Sequence, residues 1–297
     1  MNLTLEEINE IVEGKLFSEN REKEIKGFAS LDEAGSVEIT FLKKQDEYNF
    51  SKLKELEAGA IIASLNLNTD KINKNFILVD NPKLSFSRLI KKVTRPDESK
   101  RFIHSTVEFL GDYSLGRNVH IGPNTIIGDG VRIGNNTKIQ GNCVINNNSV
   151  IGENVKIGAG TVIGNEGYGY VKDENGNYER VPHIGNVQIK DNVEIASNVG
   201  IDRAMLDTTR IGENTKISNN VHIAHNVCIG QNTLLKAGSI ISGSTEVGND
   251  VIIAPGAVLN SHIEVGDEAF VAMGAVVVYD VEPGSLVMGV PAEENSS

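Results

Sequence analysis

From Ile103 onward an aliphatic or aromatic residue returns at every sixth position, and this period constrains the fold more than any other feature of the chain. The series runs without a miss from Ile103 to Ile163. It resumes at Ile189, slips by four residues after Ile201, and continues to Val277. Neither the helical period of 3.6 nor the strand period of 2 explains such spacing. A short strand followed by a corner, repeated many times, does explain it.

Each six-residue unit has a composition suited to one side of a coil. If the aliphatic residue is position i, residues i and i−2 point the same way because side chains alternate along a strand. Positions i+1 to i+3 are rich in Gly, Asn and Asp, which tolerate positive φ at a corner. Three sides make a triangular coil of roughly 18 residues, and stacked coils bury one aliphatic column per side. The pattern predicts a parallel β-helix.

The chain is expected to contain two domains, a small α/β domain at 1–97 and the β-helix at 98–297. The polar stretch 94–101 contains a proline and is the best candidate for the linker between them. The six-residue period is interrupted at 164–188 by a polar, glycine-rich segment, which is predicted to be a loop inserted between coils and forming a wall of the site.

The first domain carries ordinary signals for helices and strands. Thr4 and Glu7 have the spacing of a capping box, and Gly14 is expected to stop that helix. Pro82 suits the first turn of a second helix. Strands are predicted from composition at 36–42, 59–65 and 76–80.

Bulk properties exclude several classes of function. The net charge is −12 with no cluster of Lys and Arg, which argues against nucleic-acid binding. Cys143 and Cys228 lie far apart, so neither a disulfide framework nor a thiolate zinc site is expected. No apolar run is long enough for a membrane span, and the N-terminal residues do not have the pattern of a signal peptide. The expected location is therefore the reducing cytoplasm.

The ordered motifs resemble a known enzyme family. The repeat is similar to that of the hexapeptide-repeat acyltransferases, and this resemblance implies a left-handed parallel β-helix and a homotrimer with active sites between subunits. More narrowly, "GYGY" at 167–170, "NVGIDR" at 198–203 and "IAHNV" at 223–227 occur in the order typical of UDP-3-O-(3-hydroxyacyl)glucosamine N-acyltransferases of lipid A synthesis. Segments of the first domain, such as "VDNPKLSFSRLI" at 79–90, are similar too, and imply nucleotide binding by that domain.

Some positions depart from the family pattern. The base-binding turn of the family keeps Phe41 here, but Lys44 stands where Asn is usual and Tyr48 is displaced by one residue. His222 stands where the family usually has Gln. The final residues, "PGSLVMGVPAEENSS", are more similar to the end of small acyltransferases that use CoA.

The two histidines of "NNVHIAHNVCIG" at 219–230 occupy different places in the repeat. Ile223 is an inward position, so His222 at i−1 lies on a flat outward face and His225 at i+2 lies on a corner. A shared metal ion is therefore disfavoured. His225 matches the catalytic base of the family, and an imidazole with a pKa near 6.5 suits proton removal from an amine at neutral pH.

Coil arithmetic adds two candidates to His225. Gly243 follows it by one coil and matches the family's oxyanion donor, whereas a corner glycine with no role in catalysis is the alternative. His262 follows by two coils and one residue and matches the second active-site histidine. The resemblance also implies five residues in substrate binding: Phe41, Tyr48, Asn198, Asn219 and His222. The Asp202–Arg203 pair is expected either to contact ligand or to form an exposed ion pair or a hydrogen bond between coils, and His104, His120 and His183 to be surface or packing residues.

The resemblance implies transfer of an acyl group from a thioester to the amine of a nucleotide-linked amino sugar. The donor is an acyl carrier protein or, in the alternative version, CoA with a short acyl group and a UDP- or dTDP-linked acceptor. No metal or other cofactor is implied, and neither nucleic acid nor a membrane is an expected partner. A degenerate β-helix that only binds ligand is the non-enzymatic alternative.

Overall fold

The computed structural model describes residues 1–42, 50–69, 72–94 and 102–294. The chain divides into two compact units, Met1–Asp97 and Glu98–Ser297. In the described part of the chain, no helix is both long and apolar enough to cross a membrane.

The first unit is a five-stranded sheet with helices on both faces. Its strands, in spatial order, are Lys15–Phe17, Phe76–Val79, Ala60–Ser64, Glu38–Phe41 and Gly27–Phe28. The last four are parallel, and Lys15–Phe17 joins antiparallel to Phe76–Val79. The helices are α1 (Leu5–Val12), α2 (Phe50–Glu55) and α3 (Pro82–Thr94), and a short antiparallel pair joins Leu3–Thr4 to Glu24–Ile25.

Alternation along the central strand supplies both cores of this unit. Ile62 faces the helices α1 and α3, where it packs in a cluster with Leu5, whereas Ile61 faces the other side with Leu53 of α2. All of these side chains are fully or almost fully buried. The predicted strands and the helix beginning at Pro82 are confirmed.

The start of α1 is confirmed and its end differs from the prediction. Thr4 accepts a hydrogen bond from Glu7 N–H, and the Glu7 side chain bonds back to Thr4 N–H, so the capping box is present. The left-handed residue at the C-terminus is Glu13, with φ of 53°, and not Gly14. Gly14 is needed for another reason, because a Cβ there would lie 2.5 Å from Cγ2 of Ile77.

The second unit is a parallel β-helix, as the period of six predicts. Strands pair in parallel with partners one coil away, for example His120 with Lys138 and Ile126 with Val144. The strands build three flat sheets, called faces I, II and III. Face I consists of Phe102–Ile103, His120–Ile121, Lys138–Ile139, Lys156–Ile157, Glu194–Ile195, Lys216–Ile217, Leu234–Leu235, Ile252–Ile253, Phe270–Val271, Leu286–Gly289 and the antiparallel Ala292–Glu294.

Faces II and III complete the triangle. Face II consists of Glu108–Phe109, Ile126–Ile127, Val144–Ile145, Val162–Asn165, Gly200–Asp202, His222–Ile223, Ile240–Ile241, Val258–Leu259 and Val276–Val277. Face III consists of Tyr113–Leu115, Val131–Ile133, Val150–Ile151, Asn186–Ile189, Thr208–Ile211, Cys228–Ile229, Glu246–Val247 and Glu264–Val265. The corner that leads from face II to face III is called the II/III corner, and the one from face I to face II is the I/II corner.

The interior of the β-helix is filled as the repeat predicts. From Ile121 onward the residue of the six-residue series is buried, and so is the residue two positions before it, such as Thr125 before Ile127, whereas Ile103, Phe109 and Leu115 of the first coil are only partly buried. The Thr125 hydroxyl donates to the carbonyl of Gln140 at 2.9 Å, so its burial leaves no polar group without a partner. Corner residues adopt positive φ at the predicted positions, as at Asn136 and Asn220.

Both interruptions of the repeat lie at the II/III corner. The first connects Val162–Asn165 of face II to Asn186–Ile189 of face III, and the second connects Gly200–Asp202 to Thr208–Ile211. The longer insertion carries an antiparallel hairpin, Tyr170–Lys172 with Tyr178–Arg180. The next coil at this corner carries His225.

Candidate active site

His225 lies at the II/III corner directly after the strand His222–Ile223. Ile223 and Val227 are buried on either side of it, which fixes the path of the corner. Asn226 has φ of 63°, donates its N–H to Thr209 Oγ1 at 3.0 Å and lies with Oδ1 3.1 Å from His225 Nδ1. The half-buried imidazole is therefore held by the residue that forms the turn.

The partners of Asn226 also determine the tautomer of His225. Its Oδ1 accepts a hydrogen bond from Met205 N–H at 3.0 Å, so the atom facing His225 is an acceptor. Nδ1 of a neutral His225 must then carry the proton and donate it to this oxygen. Nε2 is left with a free electron pair, which is the form that a general base requires.

Gly243 lies one coil further along the same corner and faces the imidazole. Ser244 N–H donates to His225 O at 2.9 Å, which sets the register of the two coils. A Cβ at Gly243 would lie 2.7 Å from Cε1 and 2.8 Å from Nε2 of His225. Only glycine allows the basic nitrogen to lie this close to the next coil.

In the described part of the chain, the N–H at the corner position of Gly243 has a side-chain acceptor on some coils and not on others. Elsewhere this N–H often donates to a side chain one coil on, as from Gln231 to Asn249 Oδ1 at 3.0 Å and from Asn249 to Asp267 Oδ1 at 2.7 Å. Among the described residues, Gly243 N–H has no such acceptor. It is available as a donor to an oxyanion beside Nε2 of His225.

His262 continues the same column. Its N–H donates to Gly243 O at 3.1 Å, and its φ of 61° places it at the turn of the third coil. Its side chain is exposed. With a strand spacing of about 4.8 Å per coil, the column from His225 to His262 spans about 10 Å, enough to contact two ends of one ligand.

His222 and Asp202 form a pair next to this column. His222 lies on the flat outside of face II, as its position in the repeat predicts, and its Nε2 is 3.6 Å from Asp202 Oδ2. Asp202 is only 7% exposed. Burial raises the pKa of the Asp202 carboxyl, and the nearby histidines His222, His225 and His183 act in the opposite direction.

Of the alternatives for Asp202 and Arg203, Arg203 forms the hydrogen bond between coils, and the exposed ion pair between the two side chains is absent because each has another partner. Arg203 Nε donates to Gly164 O at 2.8 Å, and an NH2 nitrogen donates to Asn147 O at 3.2 Å. The guanidinium thus fastens the start of the insertion to the neighbouring coil, while Asp202 faces His222.

His183 is a site residue that the repeat did not reveal. It lies in the insertion, is only 4% exposed, and packs edge-on against His225 with ring centroids 4.8 Å apart and an interplanar angle of 64°. It packs, as expected, but at the site itself. The sequence did contain a signal for this contact. Every third six-residue unit lies on the same face, so assigning the units to faces in turn places both interruptions at the corner that carries His225.

Asn198 and Asn219 lie elsewhere on the same chain. Both precede strands of face II and so occupy the I/II corner, at the other edge of that face. Asn219 Oδ1 accepts the Ser197 N–H at 2.9 Å, and Asn198 has φ of 59°. A single chain therefore does not bring these two residues to His225.

The predicted base-binding residues belong to the first unit. Phe41 ends the strand Glu38–Phe41 and packs against Phe86, with ring centroids 4.8 Å apart and an interplanar angle of 32°. Tyr48 and Lys44 lie outside the described residues, as does most of the 94–101 stretch. Within the described ranges, no group of three or more His, Cys, Asp or Glu side chains is arranged to hold a metal ion.

Comparison with known proteins links both units to one family. Residues 22–92 match the family model of UDP-3-O-(3-hydroxymyristoyl) glucosamine N-acyltransferase, LpxD. Residues 112–147, 130–165 and 208–243 match the bacterial transferase hexapeptide model, and 226–261 the hexapeptide repeat of succinyl-transferase.

Two curated relatives extend over most of the chain. The UDP-3-O-acylglucosamine N-acyltransferase of Desulfotalea psychrophila is 37% identical over 265 residues, covering 83% of this chain and 75% of the relative. The enzyme of the same name from a Geobacter species is 42% identical with the same coverage of both chains. A solved structure, the UDP-N-acetylglucosamine acyltransferase of Bacteroides fragilis, aligns with a TM-score of 0.58 at 26% identity, covering 65% of this chain and 74% of that one.

The resemblance stated from the motifs is thus confirmed, and so is the β-helical hexapeptide fold. The match to 22–92 lies in the first unit, whereas the hexapeptide matches lie in the β-helix that carries the II/III corner. Taken together, these similarities show that the chain belongs to the UDP-3-O-acylglucosamine N-acyltransferase family of acyltransferases.

Proposed function

We propose that this protein transfers a 3-hydroxyacyl group from an acyl carrier protein thioester to the amine of a UDP-linked 3-O-acylated glucosamine. The observation that carries the proposal is the II/III corner. There a histidine with a free Nε2 lies against a glycine whose N–H has no acceptor in the described part of the chain. The family-model match at 22–92 supports an amino-sugar acceptor joined to a nucleotide.

The corner accounts for each step of the transfer. The amine nitrogen attacks the thioester carbonyl, the C–N bond forms, and negative charge develops on the carbonyl oxygen. His225 Nε2 takes the proton that nitrogen loses, and Gly243 N–H donates to the oxyanion. The C–S bond then breaks, and the thiolate receives the proton held by His225, so that the products are an amide, a free thiol and the neutral imidazole. His262 contacts the far end of the acceptor.

The remaining site residues bind substrate in this proposal. Phe41 and Tyr48 stack on the base of the nucleotide. His222 contacts the substrate from face II, next to His225. Asn198 and Asn219 contribute from a neighbouring subunit, because they lie at the opposite edge of face II from the corner of their own chain.

A homotrimer is part of the same proposal, with face II as the contact surface. The outward residues of face II are apolar on most coils: Ile126, Val144, Val162, Ile240, Val258 and Val276. Ile240 is 41% exposed. The outward residues of face III are mostly charged or polar, among them Arg132, Gln188, Arg210, Glu246 and Glu264. Contiguous exposed apolar surface typically marks an association site. The two free cysteines fit a reducing compartment, which we propose to be the cytoplasm.

A screen of two donors and two acceptors tests the proposed function. The purified protein is given a 3-hydroxyacyl carrier protein or acetyl-CoA, with UDP-3-O-acylglucosamine or a dTDP-linked amino sugar. The proposal predicts turnover with the carrier protein and the UDP sugar. Turnover with acetyl-CoA but not with the 3-hydroxyacyl carrier protein would overturn the proposed donor in favour of a short-chain enzyme. Ligand binding without turnover in any of the four combinations would favour a degenerate binding protein.

A further inference from the structure

His183 is held in one orientation by the inserted loop. Its Nδ1 lies 2.9 Å from the carbonyl oxygen of Val181. A carbonyl only accepts hydrogen bonds, so Nδ1 of His183 carries a proton and donates it. The ring is buried, which leaves it little freedom to rotate.

Two glycines of the loop make room for this ring beside His225. A Cβ at Gly167 would lie 2.7 Å from Cδ2 and Nε2 of His183 and 2.9 Å from Cβ of His225. A Cβ at Gly169 would lie 3.0 Å from Cε1 of His183. The loop backbone thus passes close to both histidines, and larger residues at these positions would separate them.

His225 is consequently in contact on three sides. Gly243 lies against Cε1 and Nε2, Asn226 accepts from Nδ1, and the His183 ring packs edge-on at 64°. The first two contacts come from the coils of the β-helix, whereas His183 comes from the insertion. The attachment of Arg203 to Gly164 O fixes where that insertion begins.

We propose that His183 is a positioning residue, which orients the His225 imidazole so that Nε2 faces the reacting amine above Gly243. The hydrogen bond to Val181 O fixes His183, and the edge-on packing fixes His225 in turn. The inference rests on the proposed function, in which His225 is the base. It assigns the insertion a role in aligning the base in addition to forming a wall of the site.

Variants of His183 test this role by keeping or removing the N–H that donates to Val181 O. His183→Asn places an amide N–H where Nδ1–H stands and keeps the bond to Val181 O. His183→Gln places its amide near the position of Nε2, and His183→Leu keeps the volume without a donor. We expect His183→Leu and His183→Gln to lower kcat about 10-fold to 100-fold with acceptor KM changed less than about twofold, because misorientation of a base acts on the chemical step. His183→Asn keeps the hydrogen bond to Val181 O but not the ring that packs on His225, so its kcat should lie above that of His183→Gln and below that of wild type.

Three controls separate the possible failures. His104→Leu removes a histidine of the same unit outside the II/III corner and should leave kcat unchanged. Thermal unfolding identifies a variant that does not fold. If His183→Leu does not fold, the kcat of His183→Asn compared with that of His183→Gln tests the positioning role. Wild-type kcat in His183→Gln, equal losses in Asn and Gln, or a change confined to KM would overturn the positioning role. Full activity of His225→Ala would instead overturn the proposed base, whatever His183 does.

Discussion

At the residue scale, the proposed chemistry depends on the absence of a side chain at Gly243. The imidazole of His225 occupies the space where a Cβ would stand. The same absence leaves the Gly243 N–H open to an oxyanion. The predicted column of His225, Gly243 and His262 exists because the II/III corners of successive coils stack on one another.

Gly243→Ala should displace the His225 ring without unfolding the coil. The added methyl would lie 2.7 Å from Cε1, so the base shifts and kcat falls about 100-fold. Steady-state kinetics and circular dichroism measure the two effects. Gly35→Ala is the matched control, because the nearest atom to its Cβ is Glu38 Oε2 at 3.6 Å. Wild-type kcat in Gly243→Ala would contradict the close contact.

Asp202 gives the protein a pH-dependent component of stability. Its folded pKa is raised by burial, whereas an unfolded Asp titrates near about 3.9. The protonated carboxyl therefore contributes stability that is fully present below about pH 4 and is lost as pH rises through the raised folded pKa. Asp202→Asn removes the titration. As pH rises through this window, the free energy of unfolding of wild type should fall relative to that of Asp202→Asn. Above the folded pKa the difference between the two proteins should stay constant. A difference that is flat with pH, or one that changes in favour of wild type, would contradict the effect of burial.

At the element scale, the six-residue unit is predictable because its information is local. Inward residues such as Ile223 and corner residues such as Asn226 recur at fixed intervals, and backbone pairing between coils follows from that interval alone. The period did not give the path of the insertion, since 164–188 lacks the repeat. For that reason the contact of His183 with His225 was missed. Gly14 was misassigned because Glu13 accepts the left-handed conformation, while close packing on Ile77 requires the glycine.

Asn136 tests how much a corner depends on backbone conformation. It has φ of 57°, and its side chain joins a ladder between Asn118 and Asn154 with N–O distances of 3.2 Å. Asn136→Ala and Asn136→Gly both remove the ladder, but only Ala carries the penalty of a left-handed residue. We expect Asn136→Ala to be about 1 kcal/mol less stable than Asn136→Gly in denaturant unfolding. Equal stabilities would show that the corner does not depend on φ.

At the scale of the whole molecule, face II separates residues that the resemblance assigns to one site. Asn198 and Asn219 lie at one edge and His225 at the other. No arithmetic on a single chain predicts which subunit approaches the II/III corner, because association depends on outward surfaces that the period leaves free to vary. The proposed trimer resolves this separation by using two chains for one site.

Ile240→Lys should weaken that association. It introduces a charge into the apolar outward surface of face II, next to Val258, where burial without a partner is costly. Light scattering should show a change from trimer to smaller species, with the β-helix retained in circular dichroism. Glu246→Lys is the control. It changes an outward residue of face III, in the strand that follows Ile240–Ile241 along the chain, and should leave the trimer intact. A trimeric Ile240→Lys would exclude this part of face II from the interface.

The central claim is that the II/III corner forms an amide on a sugar amine with His225 as base. The most direct measurement is the rate and identity of the acylated product, by mass spectrometry after treatment with mild base, for wild type and His225→Ala. We predict an amide that survives the base from wild type and a rate about 10²-fold to 10⁴-fold lower in a folded His225→Ala. A base-labile ester as the product, or an unchanged rate in His225→Ala, would contradict the account.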